Sequence, residues 1–109
     1  MNLPNESQFL YLTTRGWKTG KFQHTIEIWF VGYLQRYYVM SERRYKAHWV
    51  QNILHNQKIK FSINNIISEG NARIISKDNA PELASEVQKL MKTEYDWNKG
   101  LIIELTVSG

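Results

Sequence analysis

The sequence predicts a mainly β, α+β domain: a small barrel of about six antiparallel strands with two helices packed outside. Three observations lead there. Short segments rich in β-branched and aromatic residues recur along the chain and are closed by Gly and Asn turns. Two stretches instead carry the apolar spacing of a helix. The length of 109 residues, 42% hydrophobic and 22% charged, fits one domain spanning 1–109.

The elements follow in order. Phe9 to Thr14 is aromatic and β-branched, and Gly16 ends it. Arg15 to Gly20 forms a turn, because its two glycines allow backbone angles that other residues resist. His24 to Val31 alternates, with Ile26, Ile28 and Phe30 on one face and Thr25, Glu27 and Trp29 on the other. Gly32 to Gln35 turns the chain, and Arg36 to Ser41 returns. A helix over Arg44 to His55 carries Tyr45, Trp49 and Ile53 every four residues, with Val50 and Leu54 beside them. Lys58 to Ile63 places Ile59, Phe61 and Ile63 on one side. Asn64-Asn65 closes a hairpin to Ile66–Ile75, where Gly70 marks a bulge. Asn79-Ala80-Pro81-Glu82 has the pattern of a capping box, opening a helix over Ala80 to Tyr95 that turns Leu83, Val87, Leu90 and Met91 inward. Leu101 to Val107 is a last, largely apolar strand.

Composition narrows the chemistry. Cysteine is absent, which excludes disulfides, thiolate metal sites and a cysteine nucleophile and suits a reducing, cytoplasmic compartment. The polar start, Met1 to Gln8, is not expected to be a signal peptide, and no apolar run approaches the roughly 18 residues of a membrane span. Charge is uneven. Residues 1–60 carry nine Lys/Arg against three Asp/Glu, and residues 61–109 five against seven, so +6 and −2 make the net +4. A basic half suggests an anionic partner, although a solvated basic surface explains it equally well.

Two segments stand out. In the first turn, Thr13, Thr14, Arg15, Lys18, Thr19 and Lys21 surround two glycines. Backbone N–H groups of such a turn converge on an anion, and Lys supplies charge-assisted hydrogen bonds. By composition alone a solvated hairpin turn is the simpler reading. In the second, Arg43, Arg44 and Lys46 gather at a helix start, where the macrodipole disfavours cations unless an anion is bound. An exposed basic helix face is the competing reading. Trp17, Trp29, Tyr37, Tyr38, Tyr45, Trp49 and Trp97 offer rings that stack on a planar ligand, or simply pack a core. His24, His48 and His55 show no metal-site spacing, and Ser41 and His48 belong to no nucleophile motif, so no metal site, hydrolase or zinc enzyme is expected.

Read in order, these segments resemble the deazaflavin (F420)-dependent nitroreductase family, within the FMN-binding split-barrel, pyridoxamine-phosphate-oxidase-like superfamily. Tyr11-Leu12-Thr13-Thr14-Arg15-Gly16-Trp17-Lys18-Thr19-Gly20-Lys21 is similar to its "LTTxGRKSGxPR" opening, Thr25 to Val31 to its second strand, and Ala47-His48-Trp49-Val50-Gln51-Asn52-Ile53 to its helix motif "HPxWYxNL". Trp17 stands in place of a usual arginine, and Phe22-Gln23 in place of Pro-Arg.

The resemblance implies a split β-barrel, coenzyme F420 or FMN as cofactor, and two-electron reduction of a quinone, nitro compound or enone. It implies a cofactor phosphate held by Lys18, Thr19, Lys21, Ser41, Arg44 and Lys46, with Arg43 beside them and Trp49 and Asn52 shaping the pocket. It also implies a homodimer, with the site near the subunit interface. The hydride resides on the cofactor ring, so the protein supplies binding and orientation. Tyr38, Tyr45 and His48 are candidate proton donors, as is solvent. The surplus of cations over residues 15–60, which includes Arg15, Arg36, Lys58 and Lys60, favours the longer, more anionic tail of F420 over FMN. A non-catalytic cofactor carrier and a nucleic-acid-binding barrel are the rival classes, the latter weakened by the lack of an RNP-like motif.

Overall fold

The structure, a computed structural model, describes residues 9–108. Its strands are β1 (Phe9–Arg15), β2 (Phe22–Trp29), β3 (Val31–Tyr33), β4 (Arg36–Ser41), β5 (Lys58–Ile63), β6 (Ile66–Ile75) and β7 (Leu101–Val107). The helices are α1 (His48–His55) and α2 (Pro81–Tyr95). All seven strands join one antiparallel sheet in the order β2-β1-β5-β6-β7-β4-β3. The expected α+β architecture of antiparallel strands with two helices is present, as a curled half-barrel with one strand more than expected.

That extra strand explains the curl. The sequence reads as one strand ending at Val31, but pairing breaks at Phe30, and Val31–Tyr33 pairs instead with β4. β2 and β3 are therefore the two edges of the sheet, joined by a single residue. Six strand spacings of about 4.8 Å separate the edges of a flat sheet by about 29 Å. One residue spans about 3.5 Å. The sheet has to roll until its edges meet.

Rolling creates two cores. The concave face gathers Leu10, Leu12, Val39, Ile59, Phe61, Ile103 and Leu105, and α1 covers it with Trp49, Val50 and Ile53. On the outer face, Ala84, Val87 and Met91 of α2 pack on Tyr38, Met40, Ile75 and Ile102. Leu83 and Leu90, also expected inward, are partly buried against this second cluster. Strand alternation sends neighbours to opposite cores: Ile103 lies in one cluster and Ile102 in the other.

Several local expectations shift. β2 begins at Phe22 rather than His24, after a register irregularity at Thr14/Arg15. The second turn is Leu34-Gln35, both at positive φ, with Gly32 inside β3. Asn64 and Asn65 close the β5–β6 hairpin at φ 53 and 67, as expected of a type I′ turn. The helix expected over Arg44–His55 is broken: Arg44–Lys46 is a short 3₁₀ turn, and extended Ala47 separates it from α1. Tyr45 and Leu54 consequently face solvent rather than the core.

Gly70 marks no bulge, since β5 pairs through it in register. A Cβ there would meet the Thr106 carbonyl oxygen at 1.8 Å, so the glycine admits the β7 backbone. Asn79 caps no helix either. Ala80 occupies the cap position without a side-chain bond, and Pro81 opens α2. Asn79 instead accepts from the Ser76 N–H (2.9 Å) and donates to the Ile74 carbonyl (3.2 Å), tying down the β6–α2 connection.

The last strand hides an ionic group. Glu104 is 2% exposed, on the strand expected to be largely apolar. Its carboxylate accepts from Tyr38 Oη (2.9 Å), Arg73 Nε (3.2 Å) and Arg36 Nη1 (3.4 Å), across β4, β7 and β6. A buried carboxylate is tolerated only when paired in this way.

Gly70→Ala is expected to cost more than about 3 kcal/mol, because the obstructing atom is backbone and cannot yield. Asn79→Ala should cost about 1–2 kcal/mol through two lost loop hydrogen bonds. Urea unfolding measures both; a Gly70→Ala midpoint equal to wild type would refute the packing argument.

Candidate functional site

Two cavities flank α1. The larger, about 680 Å³, lies between β2, the β4–α1 connection and the end of α2. Its walls include Trp29, Trp49, Trp97, Phe9, Ile26 and Met40, with Ser41 and Arg43 at the strand-to-helix junction. The smaller, about 460 Å³, lies between the β1–β2 turn and the face of α1 that carries His48, Asn52 and His55. Lys18, Thr19, His48 and Asn52 line it.

Each wall has a local cause. The β1–β2 turn is held by Gly16 N–H to the Lys21 carbonyl (2.9 Å) and Gly20 N–H to the Gly16 carbonyl (2.7 Å), with Gly20 at φ +71. Thr19 Oγ1 donates to Gln23 Oε1 (3.0 Å) and accepts from the Lys21 N–H (3.3 Å). Asn52, buried on α1, donates through Nδ2 to Thr14 Oγ1 at 3.0 Å. Thr14 is fully buried, so this bond fixes the helix to the strand that carries the turn. At the other junction, Ser41 Oγ donates to the Arg44 carbonyl (3.0 Å) while Arg44 adopts φ 54. Gly100, at φ +139, backs this corner; a Cβ there would lie 2.5 Å from the Ser41 carbonyl oxygen.

The aromatic wall is ordered by stacking. Trp29 lies parallel to Tyr95, with centroids 4.7 Å apart at 1°, and meets Trp97 edge-on at 6.3 Å. Tyr95 in turn donates to the Phe30 carbonyl, the link between the sheet edges. Burial pushes the Tyr95 hydroxyl up to about 12, so it keeps its proton and remains a donor.

The sequence-derived candidates therefore divide. Lys18, Thr19 and Asn52 line the polar cavity; Ser41, Arg43 and Trp49 line the aromatic one. Lys21, Arg44, Lys46 and Tyr45 are exposed and line neither. The three cations of the second segment do not sit in a first helical turn, because α1 starts only at His48. Arg36 pairs with Glu104 on the outer face, and Arg15 and Lys60 both lie over the Phe22 ring, at 4.5 and 4.6 Å.

Of the proton-donor candidates, only His48 lines a cavity here. Tyr38 is buried in the α2 cluster and bonded to Glu104. Burial, then the hydrogen bond and negative charge of Glu104, push its hydroxyl up to about 12, which makes it a poor acid. Sequence reasoning missed Gly100, Thr14 as an anchor, and Glu104. A lone acid in an apolar strand was the available signal for the last. Among the described residues no group of three His, Asp or Glu is placed to hold a metal ion, and no helix is long and apolar enough to cross a membrane.

Comparison with known proteins places this geometry. A family model described as F420H(2)-dependent quinone reductase matches residues 2–107. No curated protein matches the sequence. Solved structures of the same fold include the haem storage protein HutZ of Vibrio cholerae, at TM-score 0.77 and 15% identity, over 97% of this chain and 85% of that one. An F420-H2 dependent reductase aligns at TM-score 0.62 and 17% identity, over 93% and 96%. An FAD-binding protein of Mesorhizobium loti aligns at 0.73 and 8%, over 97% and 85%.

Tyr38→Phe is expected to leave any cofactor affinity within twofold and to lower stability at neutral pH by about 1–2 kcal/mol. Its folded hydroxyl titrates near 12 against an unfolded value near 10, so its contribution is intact below pH 10 and is lost as pH rises toward 12. Urea midpoints should fall over that window less steeply in the variant. Identical slopes would remove Tyr38 from the account.

Proposed function

We propose that this chain, which belongs to the F420H(2)-dependent quinone reductase family, binds coenzyme F420 within one domain, residues 1–109. It then passes a hydride to a small quinone-, nitro- or enone-type acceptor. The observation that carries this reading is the pair of cavities on either side of α1, one aromatic and one basic and polar. A planar ring with an anionic tail needs both kinds of wall, and the donor set fits. Trp29 and Trp49 offer faces for a ring. The Lys18 ammonium and the Thr19 hydroxyl, held on a turn that closes its own glycine N–H groups, suit a phosphate.

F420, when reduced, supplies the hydride. The chain's residues bind, orient and exclude water. Trp49 is largely buried and cannot swing, so it presents a fixed wall. The Asn52–Thr14 bond sets the distance between that wall and the turn. Exposed Arg43 places a cation on the wall of the aromatic cavity, beside buried Ser41, whose hydroxyl donates to the Arg44 carbonyl. His48 lines the polar cavity on the tail side, away from the ring, so solvent supplies any proton the reduced acceptor needs.

FMN binding, as a split-barrel flavoprotein or a non-catalytic carrier, is the second reading. It is favoured by the dispersal of Arg15, Arg36 and Lys60 to other partners, which leaves fewer cations for a long tail. Titration of both cofactors at low and high salt separates the two: F420 should bind more tightly, with a preference that shrinks as salt screens the tail. Tighter FMN binding at both salts would overturn the assignment.

We further propose a cytoplasmic homodimer that does not use nucleic acid as a partner. Phe9, Tyr11 and Ile67 project large apolar surface from the outer faces of β1 and β6, which a second copy would cover. Light scattering should give about twice 12.9 kDa in the presence of cofactor; a monomer at micromolar concentration contradicts it.

Lys18→Ala should weaken F420 binding by about 1–3 kcal/mol, and Arg44→Ala by less than about 0.5 kcal/mol. Steady-state oxidation of reduced F420 by a soluble quinone tests turnover. Tight binding without turnover would leave a carrier, and equal losses in the two variants would misplace the phosphate.

A further inference from the structure

All three histidines of the chain line the polar cavity at the β1–β2 turn. They come from unrelated places in the sequence. His24 is on β2, where it pairs in register with Thr14. His48 and His55 are the first and last residues of α1. A separation of seven residues is about two helical turns, so both fall on one face. The Asn52–Thr14 bond turns that face toward β1, beside His24. Lys18 is the other titratable residue on the wall, and no carboxylate lines the cavity.

The three rings are not gathered closely enough to share a metal ion. Their common property is a variable positive charge near neutral pH. The His55 Nδ1–H donates to the Gln51 carbonyl (2.9 Å), which leaves Nε2 free to take a proton. The ring stacks on Trp17 at 4.7 Å and 21°, and the Lys18 ammonium lies 5.1 Å from the centroid of the same indole. An anion seated in this cavity would meet an ammonium, three imidazoles and the start of α1, and no carboxylate.

We propose that this cavity is a proton-linked anion site: His24, His48 and His55 take up protons as a phosphate- or carboxylate-bearing ligand binds beside Lys18. The ligand is held tightly in mild acid and released as pH rises through the histidine range. The site rests on the cofactor reading only in naming its natural occupant, the anionic tail of F420. Linkage makes the effect reciprocal, so a bound anion raises the affinity of these imidazoles for protons.

Sulfate is a suitable probe, because its charge is constant between pH 5.5 and 8.5. Calorimetric titration at fixed ionic strength, in buffers of different ionisation enthalpy, reads affinity and protons taken up together. We expect about one proton at pH 7 and an affinity that falls toward tenfold per pH unit above the ordinary histidine value of about 6.5. The triple variant His24→Gln, His48→Gln, His55→Gln should bind sulfate as wild type does at pH 8.5 and show no proton uptake. If it does not fold, the single variants should each lower the proton number. A pH-independent affinity, no sulfate binding at any pH, or unchanged proton uptake in the variants overturns the proposal. Failure of F420 to bind alongside proton-linked sulfate binding would refute the cofactor reading and leave this site standing. F420 binding with pH-independent sulfate affinity would do the reverse.

Discussion

Phe30 carries the constraint on which the rest of the structure depends. It is the single residue between strands that occupy opposite edges of a seven-stranded sheet. No flat arrangement satisfies that connection, so the sheet rolls, and the chain crosses from one core to the other at this point. Ile28 packs on the concave cluster and Val31 belongs to the outer one. Phe30 itself reaches Tyr37 edge-on at 5.8 Å, across the seam. Its carbonyl accepts from Tyr95 at the end of α2, so the outer helix is fastened to the closure itself.

The candidate site is a by-product of that closure. Rolling brings β2 near the β4–α1 junction and leaves between them a cavity too wide for core side chains to fill, walled by Trp29, Trp49 and Trp97. α1 is only eight residues long, and Ala47 breaks it from the preceding turn. A short helix is weakly stable alone. It is held by burial of Trp49, Val50 and Ile53 and by the Asn52–Thr14 bond. The same few contacts therefore position both cavities, and a loss at Thr14 would be felt at the aromatic wall as well as at the turn.

Much of the fold was legible because strands leave strong local marks. Alternation in β2 and β5, the Asn64-Asn65 turn and the apolar stripe of α2 needed no tertiary knowledge. The misreadings share a cause: each feature depends on a specific partner that the local residue pattern does not reveal. Gly70 looks like a bulge in isolation but exists for the Thr106 carbonyl. Gly32 looks like a turn, yet pairing with Tyr37 places it in a strand. Asn79 has the spacing of a cap, while the nearby Ser76 N–H and Ile74 carbonyl compete successfully for its side chain. At the site, Lys18, Thr19 and Asn52 line one cavity and Ser41, Arg43 and Trp49 the other. Arg44 and Lys46 line neither, because the extended Ala47 separates their short turn from α1. The meeting of His24, His48 and His55 left no trace in their spacing.

The account's central claim is that one ligand spans both sides of α1, ring in the aromatic cavity and tail at the glycine turn. Amide chemical-shift mapping of the ¹⁵N-labelled protein with F420 tests it most directly. The account predicts perturbations at Trp17, Lys18 and Thr19, at His48 to Asn52, and at Ser41 to Arg43, together with the indole N–H groups of Trp29 and Trp49. Perturbations confined to one cavity, or to the outer face around Glu104, would contradict it.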